Sequence, residues 1–360
     1  MDINLKSYRI VNFDNIFKNN FIFFIIFNII VLCFFNVVYY RAGEIVMNKE
    51  NPYILVMGAS IVDIIGLCKK QYTQRDSIPG RIKMSLGGVC RNIAENLGRV
   101  NVNTEFISIL GNDQYGHSIL RNSEEQGYSM KHSLMIEGGY TPTYMAILNE
   151  DGEMESAIVD MECLDKFDKE FIDSKKDIIE NSEYTVIGAD NPELIEYMLE
   201  KYSDKTKFIL DPVSANKAMS VKHLVKYFHT IKPNRLETEM MCGFKIESYE
   251  DLRKAGDYFL SLGVKNVFIS LDADGIYYKN SNEEGKIKTG PVEVKNVTGA
   301  GDSLVAGLGY GYMNNLSLKD TVKYAIAMSI ITINHEETIN PLMSEEYVKE
   351  YMKDMTWIEY

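Results

Sequence analysis

From Tyr53 onward, short apolar runs alternate with longer stretches whose apolar positions recur every three or four residues. Ile54–Met57, Ile107–Leu110, Tyr184–Ile187, Lys207–Leu210 and Asn266–Leu271 are of the first kind, each followed at once by Gly or Asp. They are too short for helices and too continuously apolar for a half-exposed strand, so they read as strands buried on both faces. Arg91–Val100, His117–Glu125, Pro192–Lys201, Tyr249–Leu262, Gly301–Met313 and Leu318–Ile333 read as helices. Strands alternating with helices predict an α/β fold with a mostly parallel sheet covered on both faces. Two segments break the alternation. Tyr144–Leu148 and Glu155–Val159 flank Asn149-Glu150-Asp151-Gly152-Glu153, a hairpin signal in which Gly152 supplies the positive φ. A second β-rich excursion covers 64–86. Insertions near 64–86 and 130–162 are expected to form a small β lid over a cleft.

The first 46 residues follow another pattern. Residues 19–40 carry no charge, and 18 of the 20 from Phe21 to Tyr40 are apolar, long enough to span a bilayer. Basic residues on both sides (Lys6, Arg9, Lys18; Arg41, Lys49) give no orientation. Half of the chain's 16 Phe fall here, together with many Ile and Asn, as in translated AT-rich DNA. Met47-Asn48-Lys49-Glu50 then opens like a conventional start, and Gly43-Glu44 can be encoded by a ribosome-binding sequence just upstream. The expectation is that 1–46 is an extension left by a mis-set start, and that 47–360 is the working domain in the cytoplasm. If 21–40 is translated, the alternative is a membrane-anchored protein whose working domain faces the cytoplasm.

Composition narrows the function. With 46% apolar and 25% charged residues, the chain is an ordinary globular one. A net charge of −13 argues against nucleic acid as a partner. Five scattered cysteines without a CxxC pair argue for a reducing compartment and against structural zinc. The five His lack metal-ligand spacing, and no Walker A motif is present.

Chemistry concentrates in short Gly-rich stretches. In Asn296-Val297-Thr298-Gly299-Ala300-Gly301-Asp302 a turn opens directly into a helix, whose unpaired amides and dipole suit a phosphate or developing anion. Asp302 in the first turn can take a proton from a hydroxyl; the competing reading is an acid that merely complements the helix dipole. Gly87-Gly88-Val89-Cys90-Arg91-Asn92 is a second such turn, with Asn92 able to donate to and accept from a sugar. Asp63 follows the first strand, where ligands of open α/β sheets bind. Asn234 and Glu237, three apart, suit either a hydrated Mg²⁺ near phosphates or a helix cap. Ser270-Leu271-Asp272-Ala273-Asp274-Gly275 is a polar strand-end loop, plausible beside a nucleotide or as a simple turn.

In their order and spacing, from about Tyr53 to Lys353, these motifs resemble the ribokinase-like (PfkB) carbohydrate kinases. Within that family, Gly87–Arg99, Thr141–Met154, Ala157–Met161, Leu210–Ala218 and Asn296–Asp302 are most similar to the pseudouridine kinase branch. The resemblance implies a three-layer α/β/α sandwich with a β lid that commonly makes homodimer contacts. It implies transfer of the ATP γ-phosphate to the ribose 5′-hydroxyl of pseudouridine, the alternatives being another nucleoside or a sugar such as ribose, adenosine or fructose, or a silent binding module. Asp302 would be the base, with Gly299, Ala300 and Gly301 the anion hole. Asp63, Gly87, Gly88 and Asn92 would hold the ribosyl group, with Thr143 approaching from the lid. Asn234 and Glu237 would serve Mg²⁺ and phosphate, Glu237 through water, and Ser270, Asp272 and Gly275 would line the nucleotide pocket. Two departures stand out. Asn296 replaces the Asp that in many relatives helps to bind a monovalent cation, which puts K⁺ activation in doubt, although Asn at this position is acceptable within the pseudouridine kinase branch. Asp272 replaces a Gly, and its charge near phosphates implies a solvent-facing or cation-bridged position.

Overall fold

The computed structural model describes residues 39–41, 44–46 and 51–360. Tyr39–Arg41 and Glu44–Val46 pair as an antiparallel ribbon in a unit separate from Asn51–Tyr360. The rest of the apolar segment expected at 21–40, and the start expected at Met47, lie outside the described residues. Among the described residues, no helix is long and apolar enough to cross a membrane.

Asn51–Tyr360 contains strands β1 (Ile54–Met57), β2 (Ile61–Cys68), β3 (Gly80–Gly87), β4 (Thr104–Ile107), β5 (Thr143–Leu148), β6 (Met154–Asp160), β7 (Tyr184–Gly188), β8 (Lys207–Asp211), β9 (Thr230–Ile231), β10 (Asn266–Ser270), β11 (Ile276–Lys279), β12 (Glu284–Thr289) and β13 (Trp357–Glu359). The main sheet runs β13-β12-β11-β10-β9-β8-β7-β1-β4. From β4 to β10 every pairing is parallel; β11, β12 and β13 extend the edge antiparallel. The parallel strands are buried on both faces because successive side chains point opposite ways. Leu55, Met57, Phe208 and Leu210 enter one core with helices α2 (Pro192–Tyr202), α3 (Arg235–Cys242) and α4 (Tyr249–Ser261). Ile54, Val56 and Ile209 enter the other with α1 (Val89–Arg99), α5 (Ala300–Met313) and α6 (Leu318–Ile333). This is a three-layer α/β/α fold.

A separate four-stranded sheet runs β6-β5-β2-β3. The hairpin read around Gly152 is β5 against β6, with Gly152 at φ 85°. Ile107–Leu110, read as one strand, is divided: Thr104–Ile107 ends the main sheet, and Ile109–Gly111 pairs with Leu134–Ile136. The break falls at Ser108, whose amide donates to Ser133 Oγ and whose carbonyl accepts from Leu134 N, so its backbone bonds leave the main-sheet ladder.

Candidate active site

Gly58, Gly188, Asp211, Lys232 and Ser270 all follow or close parallel strands at their carboxyl ends, where an open α/β sheet presents its crevice. Three turns converge there.

The first is the start of α5. Gly299 caps it at φ 83°, a left-handed conformation that favours glycine, and a Cβ there would lie 2.2 Å from the Thr338 carbonyl. The Ala300 amide closes a turn onto Val297 O, and Ser303 N is bonded back to Gly299 O. The amides of Gly301 and Asp302 are therefore the donors that the helix start leaves over for an anion. Asn296 holds this turn: its Oδ1 accepts from Thr298 N at 2.9 Å and its Nδ2 donates to Glu336 O at 3.0 Å. A carboxylate could not make the second bond.

The second turn is Gly87-Gly88 entering α1. A Cβ on Gly87 would lie 2.1 Å from Asp63 Oδ2, so only glycine lets this carboxylate approach the backbone. Burial raises the Asp63 pKa, and Arg91 opposes the rise. Asn92 stands one helical turn on, and its Nδ2 donates to Asp302 Oδ2 at 2.7 Å across 210 residues of sequence. Asp63, Gly87, Gly88, Asn92 and Asp302 are thus brought into one cluster.

Asp302 is nearly buried, and its pKa is pushed up to about 7. Burial is the main cause and the nearby Asp211 charge adds to it; the Asn92 hydrogen bond and the charges of Lys232 and Arg91 pull the other way. A carboxyl so poised takes a proton near neutral pH.

Two residues of this floor, Asp211 and Lys232, lie outside the Gly-rich motifs. Lys232 Nζ lies 3.5 Å from Asp211 Oδ2, both side chains being 6% exposed. The same ammonium sits 3.2 Å from where a Cβ on Gly301 would be. Burial pulls the Lys232 pKa down, but Asp211, Glu237 and Asp302 together hold it above the ordinary value, so the group is charged. The available signal was Asp211 and Lys232 each closing an apolar strand at its carboxyl end.

The third turn carries Asn234, Glu237 and Ser270. Asn234 Oδ1 accepts from Glu237 N at 2.9 Å, and Glu237 Oε2 accepts from Asn234 N at 2.8 Å, a reciprocal cap on α3. Of the two roles the spacing allows, the helix cap is present. Glu237 is buried, which raises its pKa against the pull of the Asn234 amide and Lys232. Ser270 N donates to Pro233 O at 3.0 Å, bringing the β10 loop alongside. Asp272 has φ 52° in an exposed turn, and Gly275 closes the loop against the Ile287 carbonyl. Among the described residues, no group of three His, Cys, Asp or Glu could cage a metal ion. Thr143 is not brought to the Asp63 face. It is paired with Val62, so by the alternation along β2 it lies on the other side of the lid sheet, and its hydroxyl donates to Thr141 O.

The profile of the pfkB family carbohydrate kinases matches residues 51–345. The chain is 32% identical over 298 residues to the pseudouridine kinase of Escherichia coli (strain K12), covering 82% of this chain and 95% of that protein. A crystal structure from Clostridium perfringens, described as a sugar kinase, superposes with a TM-score of 0.84 at 59% identity, covering 87% of this chain and 99% of the other. A structure of Arabidopsis thaliana ribokinase complexed with ribose and ATP has a TM-score of 0.74 at 19% identity, covering 84% and 99%. The chain belongs to the pfkB family of carbohydrate kinases and is an ATP-dependent sugar or nucleoside kinase.

Proposed function

We propose that the enzyme transfers the γ-phosphoryl group of ATP to the ribose 5′-hydroxyl of pseudouridine, giving pseudouridine 5′-phosphate and ADP. The observation that carries the substrate is the identity with a named pseudouridine kinase along almost its whole length. The hydroxyl oxygen forms a bond to Pγ as the bond from Pγ to the β,γ-bridging oxygen breaks, and the hydroxyl proton passes to the Asp302 carboxylate. The start of α5 faces the negative charge of the transferred group with the amides of Gly301 and Asp302, while Gly299 and Ala300, whose amide is bonded to Val297 O, form the turn that presents them, and Lys232 adds a buried cation behind Gly301. Asp63, Gly87, Gly88 and Asn92 receive the ribosyl hydroxyls. Ser270, Asp272 and Gly275 border the nucleotide.

The donor set near the phosphates fits a hydrated Mg²⁺ held chiefly by the nucleotide, with Glu237 and Asn234 reaching it through water, rather than a protein-caged ion. When bound, that ion offsets phosphate charge; the chain's own part is positioning and electrostatics. Asn296, whose amide is spent on Thr298 and Glu336, argues against K⁺ activation.

The lid supports a homodimer. By register, Ile64, Ile82, Met84, Met145, Ile147 and Ile158 share one face of the second sheet, opposite Asp63, and all but Ile64 are exposed, Ile82 at 82%. A second copy laid on this face would cover it.

An ATP-consumption screen over pseudouridine, uridine, adenosine, ribose and fructose tests the substrate. Pseudouridine is expected to give much the largest kcat/KM. Equal rates on uridine, or a preference for a free sugar, would reassign the enzyme within its family.

A further inference from the structure

Arg91 lies inside the second turn, is 3% exposed, and has its five N–H groups facing five acceptors. Nε donates to Gly87 O at 3.1 Å. One terminal nitrogen donates to Leu86 O at 2.8 Å and to Asn92 Oδ1 at 2.7 Å. The other donates to Glu95 Oε2 at 2.5 Å and faces Asn122 Oδ1 at 3.4 Å. Glu95 is held in turn by Arg99 at 2.8 Å. A guanidinium has no acceptor, so the Asn92 amide must show it oxygen and never nitrogen. With Oδ1 so committed, Nδ2 is directed at Asp302.

We propose that Arg91 is a positioning residue for phosphoryl transfer: it sets the Asn92 amide as a donor to Asp302 and, through Leu86 and Gly87, ties the end of lid strand β3 to the reacting acid. One rigid fork therefore spans the sugar-side turn and the base, and a lysine, with a single rotating ammonium, cannot hold all of these acceptors at once. Asp302 is faced by Asp211 from β8, Lys232 from the end of β9, and Arg91 and Cys90 from α1. Either replacement of Arg91 loosens the amide donor, and the methionine variant also removes a positive charge; each loss disfavours the Asp302 carboxylate, while Asp211 stays.

The inference rests on Asp302 acting as the base, and the test separates the two. Arg91→Lys and the double variant Arg91→Met/Glu95→Gln, which removes both members of the buried pair, are compared with wild type and Asp302→Asn in steady-state kinetics across pH. Expected for the Arg91 variants is a kcat lower by about 10–100-fold, an unchanged KM for ATP, and an acid limb of the kcat profile displaced to higher pH. Folded Arg91 variants with the wild-type kcat and acid limb, beside an inactive Asp302→Asn, overturn the positioning role and leave the base intact. Turnover retained by Asp302→Asn overturns the base itself. A measurement on the wild-type chain needs no variant: with selective ¹⁵N-asparagine labelling, the Asn92 side-chain protons are expected to be protected from exchange and to shift as Asp302 titrates. Free exchange without such a shift also overturns the proposal.

Discussion

Asp302 shows how one carboxyl can be tuned for activity at the expense of stability. Its pKa rises from 3.8 to about 7 on folding, chiefly through burial. The folded chain thus keeps a proton that the unfolded chain releases, so stability is lost as pH climbs from 3.8 through about 7. Asp302→Asn imitates the protonated acid. It is expected to lower kcat by about 10²–10⁴-fold while melting above wild type at pH 8, the difference closing near pH 4. Equal melting temperatures at pH 8 would remove the burial argument. In wild type, kcat/KM is expected to rise with pH up to about 7, where the free enzyme's carboxyl ionises. Lys232→Met strands the Asp211 carboxylate without its buried cation and is expected to cost about 3–5 kcal/mol by denaturant unfolding. Adding Asp211→Asn is expected to restore much of that loss. A single substitution without effect would show that the pair is not coupled.

The elements converge on the site for different local reasons. Helix α3 begins where it does because Asn234 and Glu237 satisfy each other's backbone amides; Asn234→Ala is expected to cost about 1 kcal/mol by thermal or denaturant unfolding. Helix α5 begins with glycine in place of a side-chain cap, which leaves donors for an anion. In the lid, period-two alternation puts Asp63, Ser85 and Tyr144 on one face and Ile64, Met84 and Met145 on the other. Charges placed on the apolar face are expected to separate protomers without touching the Asp63 side. The proposed homodimer predicts a wild type that runs as a dimer in light scattering and a Met84→Glu/Ile158→Glu variant that runs as a monomer. Unchanged mass of a wild-type dimer would move the interface elsewhere.

At the scale of the molecule, the family match and every candidate site residue fall after Asn51. A chain begun at Met47 is therefore expected to fold and to reach the full-length kcat. Mass spectrometry of the native N-terminus would show whether the preceding residues are made. Loss of activity in the shortened chain would overturn the dispensability of 1–46, and a native protein that keeps Phe21–Tyr40 and fractionates with membranes would overturn the mis-set start.

Legible without tertiary structure were the features written between chain neighbours. The buried parallel strands appear as apolar runs, α6 as a periodic stretch with the bounds Leu318–Ile333, the hairpin as its Gly152 turn, and the helix-opening glycines as such. The antiparallel edge β11–β13 was not legible: β11 has only the three buried residues Ile276, Tyr277 and Tyr278 before Lys279, while β12 and β13 are short and interleave charge, so none shows a run of the length that marks the parallel strands. Nor could spacing tell that Asn234 and Glu237 cap one another while lying beside Ser270. What folding alone decided is the chemistry of the floor. Asn92 meets Asp302 across 210 residues, Lys232 meets Asp211 beside Gly301, and Arg91 orients the amide between turn and acid. Proton affinity depends on desolvation and on charges a few ångströms away, and both are set by packing between distant segments.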